Sequence, residues 1–352
     1  ARLPEDALAE LRAEFDEAFI DLLEHRRQTA SFQADDPFVD LYFDLLRFLS
    51  GLLLAASQPQ AFAQYVEAAG EDRALAILCL DPSRFLGALI SRTHSTIGLS
   101  ATLSPVDFYR DLLGFAADRL GHLRVASPFP AENRRLVIDA TVATTWRDRP
   151  DNYGPIAARL AAFAERVPGN CLALFPSYEF LDEVGKRLGV RGKRLLVQSR
   201  QSSDRDREAI LDMLRRAPLA GDALLLAVAG GVFAEGVDYP GDMLRAVAVI
   251  GPCLPALTLE RELLKRYYDE VYDRGFEYAF VVPGMTRVDQ AAGRLIRSAD
   301  DTGVVALLDR RFLATPYRWF LPPDWTQGGE PEDLVGSPAE VAERFFAREV
   351  AP

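Results

Sequence analysis

The residues best suited to chemistry lie in "DQAAGRLIRSADDTG", residues 289–303. Gln290, Gly293, Arg294 and Arg297 stand at offsets of zero, three, four and seven, the spacing of one helix face. Two guanidinium groups on such a face are planar forks of N–H donors that match phosphate oxygens. Arginines at a cleft edge are a common means of holding a phosphate chain or its transition state. A second pair, Arg310 and Arg311, follows Asp309 at the end of the next apolar run, "TGVVALLDRRF".

Three further polar insertions interrupt apolar runs. In "GLSATLSP" (98–105), Ser100, Thr102 and Ser104 precede Pro105, which reads either as a helix cap with proline in the first turn or as a loop that bonds to a ligand. In "FPSYEFLDEV" (175–184), Ser177 is placed to cap a helix while Tyr178 faces outward, and a helix start suits a phosphate. In "GGVFAEGVDYPG" (230–241), two glycines precede Glu235, Gly236 and Asp238, which form either a solvated loop or a paired carboxylate network. What is missing matters equally. Lys186 and Lys193 both sit in "GKR", with arginine where a phosphate-binding loop needs Ser or Thr for magnesium. "FDEAF" (15–19) lies in an amphipathic pattern, so Asp16 and Glu17 read as a solvated helix face. The arginines therefore resemble one half of a two-lobed phosphate site.

The elements that must position these residues follow from periodicity. From residue 74 onward, short apolar runs alternate with amphipathic stretches, which predicts α/β architecture with a mainly parallel sheet between helices. Strands are predicted at "LAILCL" (75–80), "TIGLSAT" (96–102), "RLVIDA" (135–140), "CLALFPS" (171–177) and "RLLVQS" (194–199). More follow at "ALLLAVA" (223–229), "RAVAVIG" (245–251), "YAFVV" (278–282) and "GVVALLD" (303–309). Helices are predicted over 105–117, 153–166, 178–188, 204–216, 256–273 and 286–298. In such sheets ligands bind at the carboxyl ends of the strands. Residues 1–73 read as helical throughout, including a short third helix in "SQPQAFAQYVEAAG". Residues 316–352 form an extension, expected to pack on the lobe, that ends in the helix "SPAEVAERFFAREV".

Composition sets the class. The chain has 352 residues, 49% hydrophobic and 26% charged, as expected of a globular protein with room for a second module. Cys79, Cys171 and Cys253 are too scattered for a disulfide framework or a metal knuckle, which makes a reducing cytoplasm the expectation. No membrane span and no signal peptide are expected, and a start at Ala1 reads as a trimmed or excised piece. A net charge of -12 opposes nucleic acid at long range, although a local arginine patch can override it.

Taken in order, "GLSATLSP", "CLALFPSYEFLDEV", "GGVFAEGVDYPG" and "QAAGRLIRSADDTGVVALLDRR" resemble motifs III, IV, V and VI of superfamily 2 helicases. The likeness is to the XPD/Rad3-like group that includes the bacterial DinG and YoaA proteins, and it covers about residues 75–315. The resemblance implies a RecA-like three-layer sandwich (helicase domain 2) over 74–315, preceded by a helical arch-like segment over 1–73. It implies a motor travelling 5′ to 3′ on single-stranded DNA, with ATP and Mg²⁺ held mainly by a first lobe that this sequence lacks. Complete members also carry an iron–sulfur cluster on four cysteines in that first lobe, and this chain has three scattered ones. Carried over by position, Arg294 and Arg297 would reach the γ-phosphate, Gln290 would hold the nucleotide or attacking water, and Gly293 would allow close approach. Glu235, Gly236 and Asp238 would serve the nucleotide side, with Asp238 paired to a motif VI arginine. Ser100, Ala101 and Thr102 would couple the lobes, and Ser177 and Tyr178 would contact DNA. The expected partners are single-stranded DNA and the N-terminal helicase lobe of the same protein, with no membrane. Two rival readings are a RecA-like interaction module without catalysis and a metabolic enzyme for a phosphorylated small molecule. The second needs a glycine-rich first turn, and "CLDPSRF" offers none.

Overall fold

Alternation of side chains along short apolar runs places one set on each face of a sheet, so both faces must be covered. That is how the larger part of this chain is organised in the computed structural model, which describes residues 5–29, 36–69, 72–216 and 221–350. The chain divides into two units, Ala1–Leu89 and Ile90–Pro352.

In the first unit, α1 (Glu5–Thr29) and α2 (Pro37–Ser57) are joined through aromatic contacts. Phe19 stacks on Tyr42 with centroids 4.2 Å apart, and the Tyr42 hydroxyl donates to Asp16 at 2.8 Å. Asp36 caps α2 by accepting from the Phe38 amide at 2.9 Å and pairs with Arg26 at 2.6 Å. The next elements correct the sequence reading. The predicted third helix is instead strand β1 (Phe62–Ala69), and "LAILCL" belongs to β2 (Asp72–Cys79), antiparallel to β1 rather than part of the large sheet. The alanines of "AFAQYVEAA" suit a helix intrinsically, but pairing with the apolar run that follows overrides that weak preference. The boundary placed after residue 73 thus falls inside β2, and α3 (Ser83–Ile90) follows it.

The second unit is built on six parallel strands: β3 (Arg134–Asp139), β4 (Cys171–Phe175), β5 (Arg194–Val197), β6 (Ala223–Val228), β7 (Ala246–Ile250) and β8 (Gly303–Leu308). Their order is β3-β8-β7-β4-β6-β5. On one face Val247, Val249, Val305 and Leu307 meet α7 (Asp204–Arg215) and α10 (Val282–Ala292). On the other, Ala246, Ala248, Val304 and Ala306 meet α5 (Arg149–Arg166), α6 (Tyr178–Gly185) and α11 (Pro338–Val350). The tail belongs to this core, since Ala342 and Phe346 are buried in it and Val335 bridges to Ile138. The remaining helices are α4 (Val106–Leu113), the single turn α8 (Val232–Glu235) and α9 (Leu259–Tyr272).

Two predicted strands are absent here. "YAFVV" is a π-helical turn, Glu277–Val281, that runs directly into α10. A short run buried on every side has no period to distinguish strand from helix. "TIGLSAT" is extended coil in which Ile97 and Leu99 are 80% and 89% exposed. A strand needs at least one partner along its edge, and this segment pairs with no strand of the sheet.

Candidate functional site

The polar insertions gather where the parallel strands end. After β8, the carboxylate of Asp309 is fully buried. It accepts from the amides of Thr144 at 2.9 Å and Arg311 at 2.7 Å, from the Thr144 hydroxyl, and from the Arg311 guanidinium at 3.0–3.2 Å. Arg311 also donates to the Thr144 hydroxyl at 2.6 Å. A buried carboxylate is tolerated when its lone pairs are filled in this way. Arg311 is thus engaged in fastening the loop after β3 to the end of β8, and Arg310 pairs with Asp148 at 3.0 Å. Neither arginine projects freely from the edge as the sequence suggests.

The 289–303 segment departs further from its sequence reading. Helix α10 ends at Ala292, and the amides of Arg294 and Leu295 bond back to the carbonyls of Ala291 and Ala292 in tight turns. Gln290 is therefore on the helix, while Gly293, Arg294 and Arg297 lie beyond it and the four do not share a helix face. Beyond the helix, Asp301 is buried and accepts from the amides of Arg297 and Ser298 at 2.7 and 2.8 Å, which fixes the turn there. No neighbour presses on Gly293, where an added Cβ would meet only the carbonyls of its own turn, at 3.3 Å and beyond. The close approach expected there is not made within the chain.

Arg294 and Arg297 have different environments. The Arg294 side chain is 14% exposed. It donates to the carbonyls of Ala234 at 2.9 Å, Val237 at 2.6 Å and Glu235. These carbonyls belong to the end of α8 and the turn after it, where groups without helical partners need donors. Arg297 is 41% exposed and pairs with Asp238 at 2.9 Å; Asp238, itself 79% exposed, also lies 3.8 Å from Arg294. Glu235, Gly236 and Asp238 are all exposed, so the loop is solvated, and Asp238 pairs with both Arg297 and Arg294. Beneath it Tyr239 is buried and donates to the Phe233 carbonyl at 2.9 Å.

Ser177 caps α6, its hydroxyl accepting from the Phe180 amide at 3.2 Å. Tyr178 is half-buried rather than outward-facing, with the Arg200 guanidinium 5.1 Å from its ring. Ser100, Ala101 and Thr102 lie in exposed or half-exposed coil, Thr102 donating its amide to Ser100 Oγ at 3.2 Å. The structure thus brings together 230–241 with 290–297, and it leaves 100–102 apart from them. Sequence reasoning missed Thr144, Trp146, Arg149 and Arg200. "TTWRDR" carried a signal in its aromatic-arginine pairing, but it follows a strand without any glycine or carboxylate pair to draw notice.

Arg297 and Gln290 offer donors, yet no lysine cradle stands with them, and no group of three or more His, Cys, Asp or Glu able to hold a metal occurs among the described residues. Cys171 and Cys253 are buried, and burial pushes both thiols up to about 12. Among the described residues, no helix is long and apolar enough to cross a membrane.

A six-stranded parallel sheet of this order, covered by helices on both faces, is a RecA-like α/β fold. Residues 160–328 match the family described as the helicase C-terminal domain. The ATP-dependent DNA helicase CHL1 of Meyerozyma guilliermondii is 25% identical over 315 residues, covering 82% of this chain and 37% of the relative. The general transcription and DNA repair factor IIH helicase subunit XPD of Schizosaccharomyces pombe is 29% identical over 270 residues, covering 71% and 34%. A solved structure titled as an XPD helicase superposes with a TM-score of 0.60 at 23% identity, covering 91% of this chain and 55% of that one, which establishes the fold. These likenesses are those of the C-terminal portion of an XPD/Rad3-like superfamily 2 helicase. The chain spans about a third of the length of the curated relatives it matches.

Proposed function

We propose that this chain is the second motor lobe of an ATP-dependent 5′–3′ DNA helicase, completing an ATP site whose lysine and metal carboxylates lie on a first lobe. The observation that carries the reading is the latch between Arg294, Arg297 and the 234–238 turn. It ties the segment that would face ATP to the segment that would face DNA, so a change at one is felt at the other. Arg297 is the arginine placed to move, because breaking one exposed ion pair with Asp238 frees its guanidinium. Its transfer to a γ-phosphate would supply the charge that arginine fingers supply in phosphoryl transfer, worth about 10³–10⁵ in rate. Arg294, committed to three carbonyls, acts by holding the turn. Gln290 has no hydrogen-bond partner among the described side chains and would orient nucleotide or water. Ser177 and Tyr178 would meet the DNA backbone. Ser100, Ala101 and Thr102, with the exposed Ile97 and Leu99 before them, would join the first lobe, where an apolar extended segment could add to another sheet.

ATP hydrolysis by the purified chain, alone and with a first-lobe fragment added, tests the proposal. The expected result is no hydrolysis alone and DNA-stimulated hydrolysis with the fragment, lost in Arg297→Ala. Robust hydrolysis by the isolated chain would overturn the half-site reading. Binding to the fragment without hydrolysis would favour an interaction module.

A further inference from the structure

Between β3 and α5 the chain crosses the carboxyl edge of the sheet and carries Trp146 there with 74% of its surface in solvent. The loop beneath it is firmly held. The Thr144 amide donates to Asp309 at 2.9 Å, the Ala143 amide to Asn152 Oδ1 at 3.0 Å, and the Thr145 hydroxyl to Asp148 at 2.7 Å. Arg310 closes the loop from the end of β8 through Asp148 at 3.0 Å. A large apolar ring is therefore presented to water on a rigid mount, with no packing role to explain its type.

Arg149 backs that ring. Its guanidinium lies 4.9 Å from the Trp146 ring and 5.1 Å from the Phe180 ring. Its Nε is buried without a hydrogen-bond partner, so what orients this arginine is aromatic contact rather than an ion pair. Phe180 is in the first turn of α6, whose first residue, Tyr178, carries Arg200 at 5.1 Å from its ring. Two arginine-backed aromatics thus stand at the ends of β3 and β4, in a chain whose overall charge is -12. An exposed aromatic face, held in place from behind by a guanidinium, is suited to stacking a base of a single strand without regard to sequence.

We propose that Trp146, backed by Arg149, is a stacking platform for one base of single-stranded DNA that crosses the carboxyl edge towards Tyr178. The proposal rests on the DNA-motor reading above and adds to it a residue and a mode of contact.

The test is fluorescence anisotropy at low salt with labelled oligo(dT) and with a matched oligonucleotide whose bases are replaced by abasic sites. Trp146→Ala weakens oligo(dT) binding about five- to a hundredfold, the range that loss of one stacked base implies. Trp146→Phe keeps a ring and retains most of the affinity. On the abasic strand, Trp146→Ala and wild type bind alike. In a Trp319→Phe background, where the other remaining indole, Trp325, is buried, adding oligo(dT) quenches the emission. Equal oligo(dT) binding by wild type and Trp146→Ala without quenching overturns the platform while leaving the motor reading in place. An equal loss on both oligonucleotides also overturns it, because the indole is then structural. Failure of the wild type to bind either strand removes the motor reading and the platform with it.

Discussion

Replacing Arg294 by alanine separates two roles that the XPD/Rad3-like resemblance merges. As a group that acts only on a triphosphate, Arg294 could be removed from the isolated chain with little effect on folding. As the latch described here, it is a mostly buried side chain with three carbonyls on its donors. A hydrogen bond from a charged donor contributes about 1.5–3 kcal/mol, and such contributions do not add in full when one side chain makes them all. Glu235 is at the surface, so water recovers part of its share. The expected cost of Arg294→Ala is on the order of 3 kcal/mol. Arg294→Lys should recover less than half of it, because an ammonium lacks the planar fork. Arg297→Ala removes a pair with an exposed carboxylate and should cost under about 1 kcal/mol. Urea unfolding of the 352-residue chain measures all three. Amide exchange at Val237 and Tyr239 reports whether the turn itself loosens. If Arg294→Ala lies within about 0.5 kcal/mol of wild type, a typical neutral surface change, or if Arg297→Ala costs more, the latch argument is wrong.

Two other perturbations probe the same lobe. Asp309→Ala leaves Arg311 largely buried without its carboxylate and strips Thr144 of its acceptor, so thermal or urea unfolding should show a loss of about 3–5 kcal/mol. Asp289 has its carboxyl pushed up from 3.8 to about 6 by burial and by Asp324, against the pull of Arg134 and Arg124. The folded chain therefore holds this proton more tightly than the unfolded one, and stability falls as pH rises from about 4 to about 6. Asp289→Asn should be neutral near pH 4 and stabilising above pH 6, by at most about 3 kcal/mol; a wild-type-to-mutant difference that stays flat across this range would contradict the assignment.

All six strands of the parallel sheet lie where the sequence reading places them, β5 although it is largely exposed, and the plainest are apolar runs buried on both faces. β4, β6, β7 and β8 all fit that description. "YAFVV" misled because burial on all sides erases period, and "TIGLSAT" because a strand is a property of a sheet rather than of a segment. The third helix failed for a related reason, its alanines being overridden by an antiparallel partner. At the site, the pairing of Asp238 with the motif VI arginines was legible from the resemblance. The division of labour between Arg294 and Arg297 was not, because it depends on α10 stopping at Ala292 and on Asp301 holding two amides of the turn beyond it. Local spacing carries no trace of such a contact.

The placement of β3 has a consequence for how the lobe is made. β3 is the first strand of the parallel sheet in the chain, yet its sheet neighbour is β8, the last, with Arg134 opposite Gly303. During synthesis at about 5–20 residues per second, β3 therefore waits on the order of ten seconds or more for its partner. Through that interval its apolar residues Leu136, Val137 and Ile138 lack the strand that buries them. β4, β6 and β7 can already pair among themselves, which makes them the natural nucleus and the β3–β8 edge the late, chaperone-exposed step.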